Sequence, residues 1–239
     1  MNNVLRLAER SPGRQSDKAF ERLHRAIIRC ELMPGVVVPE AELARRFGLG
    51  RAAARAAADR LSMLNLLKPI RRTGYEIKPI SLRDVNDLFQ ARLILETACV
   101  RLAAGKVNAA DLRRLDGLCD VRYSTNDADS IERFLQANSE FHLFIASTVG
   151  NERLIPILAG IFAEMERLFH FGLKVRNRTD EIRHEHQALI EALVTGNADA
   201  AERETRDQIE ASRAMVLDAL ISSSGLLDVR IGVEKGRSR

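Results

Sequence analysis

From Ser81 to about residue 221 the apolar residues return every three or four positions, and no run alternates as a half-buried strand does. A stretch of that kind can bury its apolar stripes only by packing helix on helix. The pattern predicts helices over roughly 82–104, 109–122, 130–148, 152–173, 180–194 and 198–221. They are separated by Gly105, the polar run Ser124 to Asp127, Gly150-Asn151, Asn177 to Thr179 and Gly196-Asn197. Short loops make consecutive helices antiparallel, so this part of the chain is an all-α antiparallel bundle. Its start is marked by Ser81, a natural N-cap, with Asp84 in the favourable first turn.

The chain upstream is patterned differently. Phe20, Leu23, Ile27 and Ile28 set a first helix from about Asp17, closed by Met33-Pro34-Gly35. A second helix runs from about Glu40 to Phe47 and ends at Gly48, and Gly48-Leu49-Gly50 is a tight turn. The alanine-rich run from Arg51 drives a third helix to about Leu64, because alanine has the highest helix propensity. Two extended runs, Leu66 to Ile70 and Tyr75 to Lys78, flank Arg71-Arg72-Thr73-Gly74 as a hairpin. Helix, helix, turn, helix and hairpin in that order make a winged helix-turn-helix. The fold class is therefore mainly α: a winged helix-turn-helix over 17–79, then the bundle over 81–221. A mobile arm (1–16) and a flexible tail (222–239) complete the reading.

Charge divides along the same line. Residues 1–80 carry 16 Lys+Arg against 8 Asp+Glu, a net +8, and the remainder carries 21 against 25, a net −4. A basic head on an acidic body is the footprint of a phosphate-binding module joined to a separate domain. No apolar run reaches the roughly 18 residues that a membrane span needs. The first residues lack the apolar stretch of a secretory signal, and three widely spaced cysteines, Cys30, Cys99 and Cys119, match neither a disulfide framework nor a CxxC metal site. Together these point to a cytoplasmic protein.

In such a head the helix after the Gly48–Gly50 turn enters the major groove, its first residues nearest the bases. Arg51 and Arg55 share one face of it, Arg45 and Arg46 end the preceding helix, and Arg71, Arg72 and Gly74 lie at the hairpin tip. These are the candidate DNA-binding residues. The stretch from Val36 to Ile77 resembles the winged helix-turn-helix of the GntR family of regulators, in PEAELARRFGL, in Arg51 and Arg55, and in Gly74. The family usually opens its recognition helix with Ser-Arg-Thr-Pro-Val-Arg-Glu-Ala-Leu. Here Gly50-Arg51-Ala52-Ala53-Ala54-Arg55-Ala56-Ala57-Ala58 stands in its place. Fewer hydrogen-bonding groups imply a weaker or altered sequence preference.

The bundle resembles the helical effector-binding domain of the fatty-acid-responsive (FCD) branch of that family, in LFQARLILETACVRLAA, FLQANSEFHLFIASTVGNERL and EHQALIEALVTGNADAAERETRDQI. The resemblance implies a divalent metal site, held in the family by an aspartate and three histidines. The matching positions here are Asn138, His142, His186 and Gln208. Asn138 and His142 share a helix face. About ten residues, roughly 15 Å of helix, run from His186 to the Gly196-Asn197 turn, and a similar length returns to Gln208. Two amides in place of a carboxylate and an imidazole weaken the set for Zn or Ni. Arg92 matches a family arginine near the cavity and is the candidate effector-binding residue, with a helix-surface pair to Glu96 as the plainer reading. Phe134, Phe141, Phe144, Phe162 and Phe169 read as core packing.

The functional expectation is a homodimeric regulator that binds a double-stranded operator and is tuned by a small-molecule effector, plausibly an organic acid. Two other classes fit parts of the sequence: a helical metal-dependent enzyme built on His142 and His186, and an effector-binding dimer whose DNA head has decayed.

Overall fold

The computed structural model describes residues 15–119 and 123–222. The arm and tail predicted at the two ends lie outside the described residues, apart from 15–16 and Ser222, as do 120–122 at the end of the second bundle helix.

The head comprises α1 (Gln15–Ile28), β1 (Val37–Val38), α2 (Glu40–Arg46), α3 (Arg51–Met63), β2 (Leu67–Ile70) and β3 (Gly74–Ile77). Its core is made by Leu23 and Ile27 of α1, Leu43 of α2, Leu61 of α3, Leu66 just before β2 and Ile77 of β3. Fully burying side chains of this kind contributes about 1.5–3 kcal/mol each. The alanine run of α3 divides between two faces. Ala54, Ala57 and Ala58 are fully buried, whereas Ala52 and Ala56 look outward between the arginines.

The hairpin read from the sequence gains a third strand, because Val37 and Val38 pair with Glu76 and Tyr75 and give the antiparallel order β1-β3-β2. A two-residue strand is too short to announce itself by alternation. The turn of the wing is Arg71 to Thr73, and Gly74 is already the first residue of β3, paired with Ile70. Gly74 has φ +141, and a Cβ there would stand 2.3 Å from the Val38 carbonyl oxygen. Only glycine lets β1 lie so close.

The body comprises α4 (Leu82–Ala103), α5 (Ala109–Cys119), α6 (Ala128–Ser147), α7 (Leu154–Val175), α8 (Thr179–Val194) and α9 (Ala198–Ser222). The Ser81 hydroxyl accepts from the Asp84 backbone N–H at 3.0 Å and starts α4. The Asp127 carboxylate does the same for Asp129 and Ser130 at the start of α6. A second core, with Phe89, Leu112, Phe134, Phe141, Met165 and Val216 among its members, fills the bundle.

The two cores share no residue. The joint between head and body is polar. Arg29, just past the end of α1, donates to Asp129 and, at 2.7 Å, to Glu132 of α6. Asn65 donates to Glu164 of α7 at 2.7 Å, and Arg167, buried in α7, donates to the Lys78 carbonyl at 2.8 Å. The basic face of α1 thus rests on acidic positions of α6 and α7.

Replacing Gly74 with alanine forces β1 and β3 apart and holds a side chain in a strained conformation. The expected cost is about 1–3 kcal/mol of head stability, read as a lowered head transition in calorimetry with the body transition unmoved.

Candidate functional site

Two clusters of side chains merit a chemical reading, one on the outer face of the head and one inside the body.

On the head, α3 starts at Arg51 behind Gly50, which has no side chain to cap it, and its first turn holds no acid. The free N–H groups and positive end of the helix dipole therefore face outward beside Arg51. Arg51 is exposed, and so are Arg71 and Arg72 in the wing turn. Arg55, one turn along α3 from Arg51, donates from Nε to Glu40 Oε2 at 2.8 Å. Arg45 is held more fully, with Nε and Nη2 donating to the two Glu42 oxygens at 2.9 and 2.7 Å. Arg46 donates to the Glu31 carbonyl at 2.9 Å and stacks its guanidinium 5.5 Å from the Phe47 ring. Gly74 is half-buried beneath β1, with the turn standing out beyond it.

The sequence reading missed a cleft of about 380 Å³ beside the α3 N-terminus, lined by Lys18, Arg22, Arg25 and the Gly48–Gly50 turn. The recurrence of basic residues at Lys18, Arg22, Arg25 and Arg29 along α1 was its available signal. Also missed were Glu40, and Asp59, which accepts from the Tyr75 hydroxyl of the wing at 3.2 Å.

Inside the body, Arg92 and Glu96 of α4 form an ion pair, and both are almost wholly shut off from water. This is the i,i+4 pair that the sequence offered for Arg92, and it lies in the interior. The other Glu96 oxygen lies 3.0 Å from His142 Nδ1 of α6. Phe162 and Phe169 of α7 each put a ring centroid 5.4 Å from the Arg92 guanidinium. His186 of α8 is fully buried, with Nδ1 2.9 Å from Asp116 Oδ1 of α5. Its ring stacks on Phe141 at 4.2 Å and stands edge-on to His142 at 5.6 Å. Three of the five phenylalanines thus wall a polar cluster besides filling the core.

The carboxylate on each Nδ1 holds a proton at that nitrogen, so in a neutral ring Nε2 is an acceptor. Both Nε2 atoms are buried and have no partner among the described residues, and neither do Gln208 Oε1 and Thr205 Oγ1 of α9. Thr205 lies one turn before Gln208 and is fully buried. Asn138 is half-buried, one turn before His142, and His184 is exposed. Left unmatched, each of these four atoms costs about 1–3 kcal/mol. Such a cost is offset when a polar ligand brings the missing partners.

The donor set tests the metal reading. Carboxylates behind two imidazoles are the outer contacts of metal-binding histidines. The remaining donors are neutral amides, and among the described residues no three His, Cys, Asp or Glu side chains gather to hold a metal ion. The set does not fit a tightly held Zn or Ni ion.

Burial alone would push the Glu96 carboxyl up, but the Arg92 guanidinium and His142 outweigh it and hold the group at about 2. Burial pushes the His186 imidazole down, towards its neutral form, against the pull of Asp116.

Comparison with known proteins assigns the head and the body to known families. A family model described as "Bacterial regulatory proteins, gntR family" matches residues 15–77, and one described as "FCD domain" matches residues 87–211. The uncharacterized HTH-type transcriptional regulator YdhC of Bacillus subtilis is 25% identical over 190 residues, 77% of this chain and 83% of its own length. A putative L-lactate dehydrogenase operon regulatory protein of Escherichia coli is 25% identical over 216 residues, 80% of this chain and 82% of its own. A GntR-type putative transcriptional regulator of Rhodococcus superposes with a TM-score of 0.67 at 21% identity, covering 86% of this chain and 98% of its own. The Escherichia coli McbR/YncC structure gives 0.67 at 18%, covering 87% and 99%. These structural likenesses establish the fold.

Because the Glu96 carboxyl is held at about 2 against an ordinary 4.5, its stabilisation is complete above pH 4.5 and is lost as pH falls towards 2. That loss is about 3 kcal/mol. Glu96→Gln leaves Arg92 buried without a counter-charge, at a cost of about 3–5 kcal/mol. Urea unfolding of the two proteins against pH checks both: the variant is less stable at neutral pH and its stability is flatter below pH 4.5.

Proposed function

The chain belongs to the gntR family of bacterial regulatory proteins and carries the FCD domain, and from that premise we propose a DNA-binding transcription regulator whose operator affinity is set by a small organic acid held in the helical body. Both families and the named relatives are regulators of transcription, not enzymes. The metal-dependent enzyme is thereby set aside.

The observation that carries the reading is the outer face of α3: an uncapped N-terminus, two outward arginines and no acid in its first turn. Arg51 and Arg55 face bases in the major groove. Arg45, Arg46 and the wing residues Arg71 and Arg72 meet phosphates, with Gly74 keeping the wing closed. The protein acts in the cytoplasm, where the operator is. Among the described residues no helix is long and apolar enough to cross a membrane.

The body pairs with a second copy, so that two heads meet two half-sites. The exposed apolar residues Ile94 and Leu102 of α4 and Ile157 of α7 support that pairing. The effector enters among His142, His186, Thr205 and Gln208, whose unmatched atoms are chiefly acceptors. A hydroxy acid suits them: its hydroxyl donates to an imidazole, and its carboxylate accepts from the Thr205 hydroxyl. Arg92, held by Glu96, supplies the positive charge nearby. The relative whose printed name attaches it to an L-lactate dehydrogenase operon is in keeping with such a ligand. The effector binds without a tightly held divalent metal, since Asn138 and Gln208 offer only amides.

Helices α6 and α7 carry His142, Phe162 and Phe169 at the buried polar cluster, and Glu132, Glu164 and Arg167 at the joint. A ligand that prefers one placement of these helices shifts the heads, and with them affinity for DNA.

The test is selection from a random duplex pool by the full-length protein. The expected product is an inverted repeat, and Arg51→Ala weakens binding to it by about 1–3 kcal/mol. Recovery of no motif, with salt-sensitive non-specific binding alone, would mean a decayed head and place the function in the body.

A further inference from the structure

The arginines at the reading edge of the head differ in what their guanidinium groups are doing. Arg51 makes no hydrogen bond or ion pair among the described residues, so its direction is set by rotamer preference alone. Arg45 has both Nε and Nη2 taken up by Glu42, so the edge that would face a base is already in use. Arg55 is intermediate. Only its Nε is engaged, by Glu40 at 2.8 Å, and the two Nη groups carry no bond among the described residues.

This is a buttress. The guanidinium is planar, so fixing Nε against a carboxylate fixes the plane and the direction of the Nη pair. Glu40 is itself well placed to do so. It stands in the first turn of α2, where the helix dipole favours its charge, and its side chain is mostly shielded, at 25% exposed against 66% for Arg55. Beyond Arg55 on the same face of α3, Asp59 is tied to the Tyr75 hydroxyl of the wing. The helix face around Arg55 is therefore fastened to α2 on one side and to β3 on the other.

A carboxylate directly behind an arginine offsets part of the positive charge that draws it to phosphate, and leaves the Nη pair free to donate. The base edge that accepts two parallel N–H groups from such a fork is guanine, at O6 and N7. We propose that Glu40 is a positioning residue which holds Arg55 from behind, so that α3 reads one guanine in each half-site. The inference deepens the reading that α3 enters the major groove and rests on it. It also gives the alanine-rich helix a physical source of specificity: a preorganised arginine loses less entropy on forming its contact than a free one.

The experiment is selection from a random duplex pool by full-length wild type, Arg55→Ala, Glu40→Ala and Glu40→Gln, with affinity for a random-sequence duplex measured alongside. Wild type returns a motif with a strong guanine at one position per half-site, and Arg55→Ala loses that position. Glu40→Ala loses guanine preference at the same position by about tenfold, while its affinity for the random duplex is kept or rises because a negative charge has gone. Glu40→Gln, whose amide oxygen still accepts from Nε, keeps most of the preference. A Glu40→Ala motif identical to wild type overturns the buttress and leaves the DNA-reading head standing. So does an equal loss at every position with a lowered melting temperature, the mark of a merely structural pair. A wild type that enriches no motif overturns both.

Discussion

A guanidinium and a carboxylate one helical turn apart, both shut away from water in the middle of α4, govern how the rest of the body can pack. Desolvation costs several kcal/mol for each ion and is offset only where geometry and further hydrogen bonds are good. His142 must come in from α6 to use the second Glu96 oxygen, and α7 must lay Phe162 and Phe169 near Arg92. Three helices are thus fixed by one charged cluster. The opposite wall follows, because Phe141, next to His142, stacks on His186, and Asp116 of α5 holds His186 in turn. What is left is an interior in which the buried Nε2 atoms of His142 and His186 have no partner among the described residues. An apolar core would be cheaper to build.

The head is built on other terms. Its core is small, mostly aliphatic and separate from that of the body, and its outer face is left to charge. Where the two meet, Arg25 at the end of α1 and Arg29 just past it rest on acids of α6, and a buried arginine of α7 holds the chain at Lys78. A polar joint between two independent cores allows relative motion more readily than a shared apolar core. That division suits a regulator: a sensor that is costly to deform, a reader that is rigid in itself, and a joint between them able to respond.

Much of this was legible in the residues alone. The six helices of the body lie within a few residues of their predicted limits, because each carries an amphipathic repeat bounded by glycine, asparagine or a capping side chain. The polar interior was only half legible. Resemblance picked out His142, His186 and Gln208, and the spacing of Arg92 and Glu96 made their pairing available. Nothing in the linear order says that an i,i+4 pair faces inward, or that Asp116, seventy positions from His186, is its partner. Thr205 went unnoticed for the same reason. In the head, β1 was missed because two residues carry no period, and Gly74, read as a tip residue, is held beneath β1 by contact with Val38. Glu40 was invisible as a partner of Arg55 because the contact crosses from one helix to the next.

The central claim is that a ligand in the body alters the grip of the head on DNA. Its most direct test is a fluorescence-anisotropy titration of the full-length protein on its selected duplex, repeated with small hydroxy acids and with His186→Ala. The account predicts that at least one acid shifts the operator Kd by about 5–150-fold in the wild type and that the shift vanishes in the variant. A Kd indifferent to every acid, or a shift that survives His186→Ala unchanged, would contradict it.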